Sequence, residues 1–321
     1  MAYRDIRIHY IVWIVQGLAS LSCNGLVVAA ISRFADLRKR KEYIIVAGVA
    51  LGDAIGAFGY LSAGTQRSWR VYHNQHNITS TPWQCYTIYN LCWHFAGPFV
   101  SLMLIATSID RLLAVTVPMK YYLFTRTYSL RVVGSVSCVS GIWLLATLYI
   151  SWTKRNDYIV TSICYSQDAI VEDWYPLFFL FMAVCKVAYV IAYVPVVIIQ
   201  SVRTNKKIAP PPAKAAAGKD GRVQVKETDR QKKKREEELA RQRRLVVTVG
   251  ISCSITFVFG IIPSVLQVLL RLFNGGPISA QVLSLLSNTD KIVNIFLYTT
   301  RHKDIRGGLK ALLMCKGKIE I

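Results

Sequence analysis

The chain has 321 residues, 53% of them apolar, and a mean hydropathy of +0.34, which excludes an ordinary water-soluble domain of this length. Its 39 Lys and Arg outnumber its 18 Asp and Glu, giving a formal charge of +21. The five histidines are scattered without metal-ligand spacing, and neither a Gly-rich phosphate loop nor a nucleophile elbow is present. The composition therefore points away from an enzyme and implies no cofactor and no metal.

Crossing a bilayer takes about 20 apolar residues per helix. Seven such runs are read from the sequence, at roughly 8–32, 43–65, 87–117, 131–152, 174–202, 244–271 and 278–300. They predict an all-α membrane protein, a seven-transmembrane helix bundle with a short C-terminal amphipathic helix. Residues 1–7 are a short outer N-terminus, 8–302 the bundle, and 303–321 the amphipathic helix and inner tail. The first span starts almost at once, with no small-residue cleavage pattern before Asn24, and reads as a signal anchor.

The first span contains Asn24 within Cys23-Asn24-Gly25-Leu26-Val27, and the second contains Asp53 within Val49-Ala50-Leu51-Gly52-Asp53. Asn77-Ile78-Thr79 is a glycosylation sequon in the first outer loop. The third span opens with Cys92-Trp93-His94-Phe95-Ala96-Gly97-Pro98-Phe99 and closes on Asp110-Arg111-Leu112. An acid–base pair at the edge of an apolar run is expensive, about 2.5–3.5 kcal/mol per charge at the bilayer centre, and marks a functional position.

Of the eight cysteines, Cys85 and Cys164 fall on the outer side, where an oxidising compartment suggests one disulfide between the third span and the second outer loop. The fourth span carries Trp143. The fifth opens on Trp174, Tyr175, Phe178, Phe179 and Phe181 and contains Pro195.

The inner loop at 203–243 begins with Ala209-Pro210-Pro211-Pro212, which ends the fifth helix, and carries the basic run Lys232-Lys233-Lys234-Arg235. Between two spans such a run is a juxtamembrane stripe rather than a nuclear signal. The sixth span contains Phe257 and Gly260-Ile261-Ile262-Pro263. The seventh contains Asp290-Lys291, then Asn294-Ile295-Phe296-Leu297-Tyr298. After it, Ile305, Leu309, Leu312 and Leu313 alternate with Lys303, Arg306 and Lys310, the pattern of a helix lying on the inner membrane face. Cys315 follows as a candidate palmitoylation site.

With the first terminus outside, the inner segments hold 30 of the 39 Lys and Arg and the outer segments seven; Lys186 and Lys291 lie within spans. That asymmetry is the positive-inside rule, and it sets an N-terminus outside, a C-terminus inside and an odd number of spans, a multi-pass topology. The basic balance reports contact with anionic membrane lipids and no nucleic acid.

In order and one per span, these motifs resemble those of the rhodopsin-like (class A) G-protein-coupled receptors. Asn24 resembles the first-helix Asn, Asp53 the second-helix Asp, and Asp110-Arg111-Leu112 the Asp-Arg-Tyr closing helix three. Trp143, Pro195 and Pro263 fit the Trp and kink prolines of helices four to six, and Asn294 to Tyr298 fit Asn-Pro-x-x-Tyr. The resemblance implies a receptor that binds an extracellular small-molecule or peptide ligand and activates a heterotrimeric G-protein.

It assigns Asp110, Arg111, Arg203 and Arg243 to G-protein coupling. Asn24, Asp53, Asp290, Lys291, Asn294 and Tyr298 form the polar core switch. Trp93, Phe99, Phe178 and Ile262 are ligand-binding positions, and Pro195, Phe257 and Pro263 the hinge. The short N-terminus and degenerate sixth-helix motif are similar to divergent chemosensory receptors of nematodes; a neuropeptide receptor is the close alternative.

Several departures from the family pattern matter. Gly260 to Pro263 replace Cys-Trp-x-Pro, so the aromatic toggle is missing and Phe257 is left as the packing element. Arg203 stands where a Tyr follows the fifth-helix Pro. Arg243 stands where an acid often pairs with the third-helix Arg, which predicts elevated ligand-free signalling. Trp93 occupies the place of the amine-binding Asp, which argues against a monoamine. Ile295 removes the seventh-helix proline.

Lys291 stands at a position that helps bind sodium in the family, and its ammonium is expected to neutralise Asp53 and Asp290 in the ion's place. A retinal-binding photoreceptor is a rival reading, but the opsin lysine precedes the helix-seven Tyr by ten residues, which is Asn288 here. A small membrane transporter would show paired repeats or Gly/Pro-broken helices in both halves, and the sequence has neither.

Overall fold

The computed structural model describes residues 3–75, 78–156, 159–170, 174–208, 247, 250–251, 254–272, 283, 285–289, 291–293, 296, 299 and 303–315. Its first half is built from long helices. The first span is α1 (Tyr3–Arg33), followed by a short turn α2 (Ala35–Arg38) and the second span α3 (Lys41–Tyr72). The third span is α4 (Ile88–Thr116). Pro118 cannot continue that helix and restricts the residue before it, so Val117 leaves helical geometry (φ −126°, ψ 61°) and α5 (Pro118–Tyr122) starts in a new direction. The fourth span is α6 (Arg126–Thr153), a short α7 (Ser166–Ala169) lies in the second outer loop, and the fifth span is α8 (Trp174–Ile208).

These five long helices are apolar and long enough to cross a membrane. α1, α3, α6 and α8 extend up to seven residues past their expected ends, because polar flanks such as Lys41 and Arg70 continue the helix beyond the apolar run, while α4 stops one residue short at each end. The expected sixth span is described as a π-helical turn, Thr256–Ile261, continued by an α-helix, Ile262–Leu272. In the expected seventh span, 285–289 and 291–293 are helical.

Packing sorts the helices. α3 is the most enclosed of the five and α6 the least. On α1 the residues Ile8, Ile11, Val15 and Leu18 are exposed at spacings of three and four, the stripe of a helix that faces lipid on one side. Its other side meets α3 through glycines. A Cβ added at Gly17 would stand 2.6 Å from the Leu61 backbone nitrogen, and one at Gly64 2.9 Å from the Tyr10 carbonyl oxygen. Only hydrogen fits at these positions, and such small residues let membrane helices touch backbone to backbone.

At the inner end, the amphipathic helix Lys303–Leu313 turns its apolar side inward, as its sequence spacing requires. Ile305 and Ala311 join Val27, Ile31, Leu37 and Tyr43 in one buried cluster. Asp304 ion-pairs with Arg40 and accepts a 2.8 Å hydrogen bond from the Tyr43 hydroxyl. Span one, the first inner loop and this helix thus form one packed unit.

At the outer end, β1 (Thr79–Ser80) and β2 (Val160–Thr161) pair antiparallel, Thr79 opposite Thr161. The Cys85–Cys164 disulfide lies beside this ribbon.

Candidate functional site

The inner candidate site is built at the foot of α4. Arg111 Nη2 lies 2.6 Å from Asp110 Oδ2, and both side chains are nearly closed to solvent (7% and 0% exposed). Because Pro118 redirects the chain, Tyr121 of α5 returns to the end of α4, and its hydroxyl donates to both Asp110 oxygens at 3.1 Å. Burial pushes the Tyr121 phenol above its ordinary range, so it stays protonated and remains a donor. Lys41, at the start of α3, donates to the Tyr121 carbonyl oxygen and places its ammonium 3.6 Å from the Tyr121 ring centroid.

The sequence pointed to Asp110 and Arg111 but missed Tyr121 and Lys41. The proline at 118 was the available signal, since it decides which way the following aromatic residues face. Arg203 falls in the last turns of α8; Arg243 lies outside the described residues.

Of the polar residues expected in the bundle core, Asn24, Asp53 and Lys291 are among the described residues. Asn24 is buried and donates to the Ser20 carbonyl oxygen at 2.9 Å and to Ser20 Oγ at 3.2 Å. Asp53 is buried on α3. Lys291 departs from the expectation. Among the described residues it makes no ion pair with Asp53. Its ammonium instead lies one turn outward, 3.0 Å from where a Cβ on Gly56 would stand and 5.0 Å from the Tyr60 ring centroid. The missing side chain at Gly56 leaves room for it there, and the ring face attracts it. Asp290, Asn294 and Tyr298 lie outside the described residues.

The four expected ligand positions sit in different surroundings. Trp93 packs among Trp13, Tyr60 and Tyr89, with ring centroids 4.8–5.8 Å away. Phe99 is enclosed with Ile45, Val49 and Met103 and stacks on Phe95. It is core packing between α3 and α4 because Gly52 offers it a flat seat. Phe178 is buried edge-on against His94, 5.4 Å between centroids. Ile262 is 42% exposed and turned outward.

The hinge residues divide in the same way. Pro195 lies within the continuous helix α8, on an exposed face. Phe257 is 48% exposed, so it does not pack inside the bundle as expected. It lies in the π turn Thr256–Ile261, which interrupts the regular α-helical ladder. Pro263 is buried immediately after that turn. Lys186 of α8 reaches across to this point, 3.2 Å from Ser264 Oγ and 3.5 Å from the Gly260 carbonyl oxygen. The sequence placed Lys186 inside a span without giving it a role; a lysine facing a proline kink was the signal.

Cys85 and Cys164 form the expected disulfide, fully buried, with an S–S distance of 2.06 Å. Cys315 is exposed just past the amphipathic helix, and Asn77 lies outside the described residues.

The outer site contains a residue that sequence reading counted only as a loop charge. Arg67, near the end of α3, is 0% exposed. Its Nη2 donates to the Cys164 carbonyl oxygen at 2.8 Å and its Nε to the Ile163 carbonyl oxygen at 3.1 Å. Cys164 adopts a left-handed backbone conformation (φ 53°), and its carbonyl also accepts from the Tyr89 hydroxyl and Asn90 Nδ2. These bonds offset a conformational cost of about 1–2 kcal/mol. Four rings surround the guanidinium, those of Trp13, Tyr89, Trp93 and Tyr165, at 4.7–5.5 Å. Asp53, Tyr60 and Arg67 are spaced by seven and so share one face of α3, which was the overlooked signal.

The sequence of residues 23–300 matches a family model described as 7 transmembrane receptor (rhodopsin family). The chain belongs to that family. It is therefore a multi-pass membrane receptor of the seven-helix class and not an enzyme. No curated protein matches it. Within the receptor, the buried Asp110–Arg111 pair sits towards the C-terminal end of span three, and the disulfide beside its N-terminal end.

Proposed function

We propose that the receptor couples an extracellular ligand to a heterotrimeric G-protein through Arg111, as a chemosensory or neuropeptide receptor of the plasma membrane with its N-terminus outside. The observation that carries this reading is the Asp110–Arg111 pair held under Tyr121 at the foot of α4. A buried charge pair can be broken only where new partners replace the old ones. Release of Arg111 from Asp110 is then the step that a G-protein selects, and agonist binding shifts the population toward it.

Pro263 and the π turn before it supply a segment of helix six whose hydrogen-bond ladder is already interrupted, and Lys186 holds that segment to helix five. The basic inner loop at 203–243, with Arg203 and Arg243 at its ends, supplies the surface facing the G-protein. The polar core of Asn24, Asp53, Asp290, Lys291, Asn294 and Tyr298 relays the change, Asn77 carries glycan and Cys315 palmitate.

The test is nucleotide exchange on a purified G-protein by receptor membranes, wild type against Arg111→Ala, across a library of small molecules and peptides. A response present in wild type and lost in the variant supports the reading. Equal responses in both, or silence from a folded, surface-exposed wild type, overturns it.

A further inference from the structure

We infer that Arg67, with the indoles of Trp13 and Trp93, forms a binding site for the carboxylate of an organic anion carrying a flat apolar body. The inference deepens the receptor reading given above by naming a ligand class, and rests on the outer half being the ligand side. It begins from an imbalance of charge. Arg67 is 0% exposed, yet among the described residues no carboxylate lies within ion-pair distance of it. Taking a charge out of water without a counter-charge is strongly unfavourable. Two loop carbonyls and four ring faces solvate the cation only in part.

The hydrogen-bond inventory points the same way. Arg67 uses Nε and Nη2 for the loop and leaves Nη1 buried with no partner among the described residues. The indole N–H groups of Trp13 and Trp93 are likewise buried and without a partner. An indole and a guanidinium can only donate. Three idle donors border one aromatic cluster, with Trp93 Nε1 on its Gly59 side, and the unbalanced cation among them favours an anionic acceptor. A planar carboxylate fits a guanidinium edge better than a spherical ion does.

The flat body follows from the rings. Trp13, Tyr60 and Trp93 meet at 4.8–5.7 Å between centroids, offering ring faces and edges to an apolar group. Lys291, 5.0 Å from the Tyr60 centroid, adds a second positive charge on the inner side of the cluster. Tyr165, whose hydroxyl meets that of Tyr10 at 3.1 Å, covers the guanidinium from the loop.

The carboxylate has two possible sources, a solute from the extracellular fluid or the headgroup of an anionic lipid. The experiment uses purified receptor in phosphatidylcholine nanodiscs and measures binding of phenylacetate and its uncharged twin phenylacetamide, by calorimetry and tryptophan fluorescence. The expected result is saturable phenylacetate binding at least about tenfold tighter than phenylacetamide binding, lost in Arg67→Gln and partly kept in Arg67→Lys. Repeating it in phosphatidylserine nanodiscs separates the sources. Undiminished phenylacetate binding assigns the site to a solute; competition by the lipid assigns it to a headgroup and still supports the site.

Equal affinity for acid and amide in wild type, no saturable binding of either, or undiminished acid binding by Arg67→Gln overturns the inference. The wild-type acid-against-amide comparison needs no variant, so it stands if Arg67→Gln fails to fold. Because the readout is binding, its failure leaves G-protein coupling untouched, and a failure of coupling leaves the binding result intact.

Discussion

The receptor buries an arginine at each end, and the two are satisfied by opposite means. Arg111, at the inner end of α4, has a carboxylate 2.6 Å away, and a tyrosine holds that carboxylate in place. Arg67, at the outer end of α3, has carbonyls and aromatic faces but no acid among the described residues. A charge with its counter-charge beside it is closed to new partners until something pulls the pair apart. A charge held only by dipoles and π faces is still open to an anion. The same residue type thus makes a latch at one end of the molecule and a receiving site at the other.

The comparison can be broken most severely at the outer end. The disulfide closes a loop of 79 residues, and in the chain-entropy account a loop of that size contributes about 4–5 kcal/mol. Cys85→Ser is expected to lower the thermal midpoint of the nanodisc-embedded receptor by several degrees, and to loosen the Cys164 carbonyl that Arg67 holds. Thiol-reactive dye melting measures it.

Arg67→Lys keeps the charge and loses the fork that reaches the Ile163 and Cys164 carbonyls together. Its cost is expected at about 1–3 kcal/mol, read as a smaller fall in the same melting midpoint; an unchanged midpoint would show that the guanidinium does not tie the loop down.

At the inner end, Tyr121→Phe removes the hydroxyl that holds Asp110. Losing about 1 kcal/mol of support for the closed latch raises ligand-free G-protein activation about fivefold, measured as basal nucleotide exchange. No rise would show that Tyr121 leaves the latch indifferent. The smallest expected effect is that of sodium. With the Lys291 ammonium one turn above Asp53, replacing sodium by a large organic cation leaves thermal stability unchanged, and a clear sodium-dependent shift would refute that placement of charge.

Much of the fold was legible because a bilayer leaves few choices: apolar runs of spanning length became α1, α3, α4, α6 and α8, all but α4 extended by polar residues at their ends. The inner latch was legible in Asp110-Arg111, since adjacent charges at a span end carry their own explanation. Tyr121 was not, because its contact depends on the turn made at Pro118. Arg67 was hidden for a related reason. From sequence it is a cation near water, and only the folded second outer loop lays Cys164 and Tyr165 over it. Phe99 and Phe257 were misplaced because an aromatic residue in a span reads alike whether it faces ligand, neighbour or lipid, and that depends on the rotation of its helix.

The glycine contacts between α1 and α3 bear on how the receptor is made. Gly17 and Gly64 each meet backbone of the opposite helix, and every residue needed for that contact lies within the first 72 of the chain. The pair can close as soon as the ribosome has delivered its second hydrophobic segment, long before the sixth and seventh are synthesised. Later segments then assemble onto a finished hairpin. A side chain at either glycine therefore acts as an error of biogenesis, reducing the amount of receptor that reaches the cell surface before it alters anything the receptor senses.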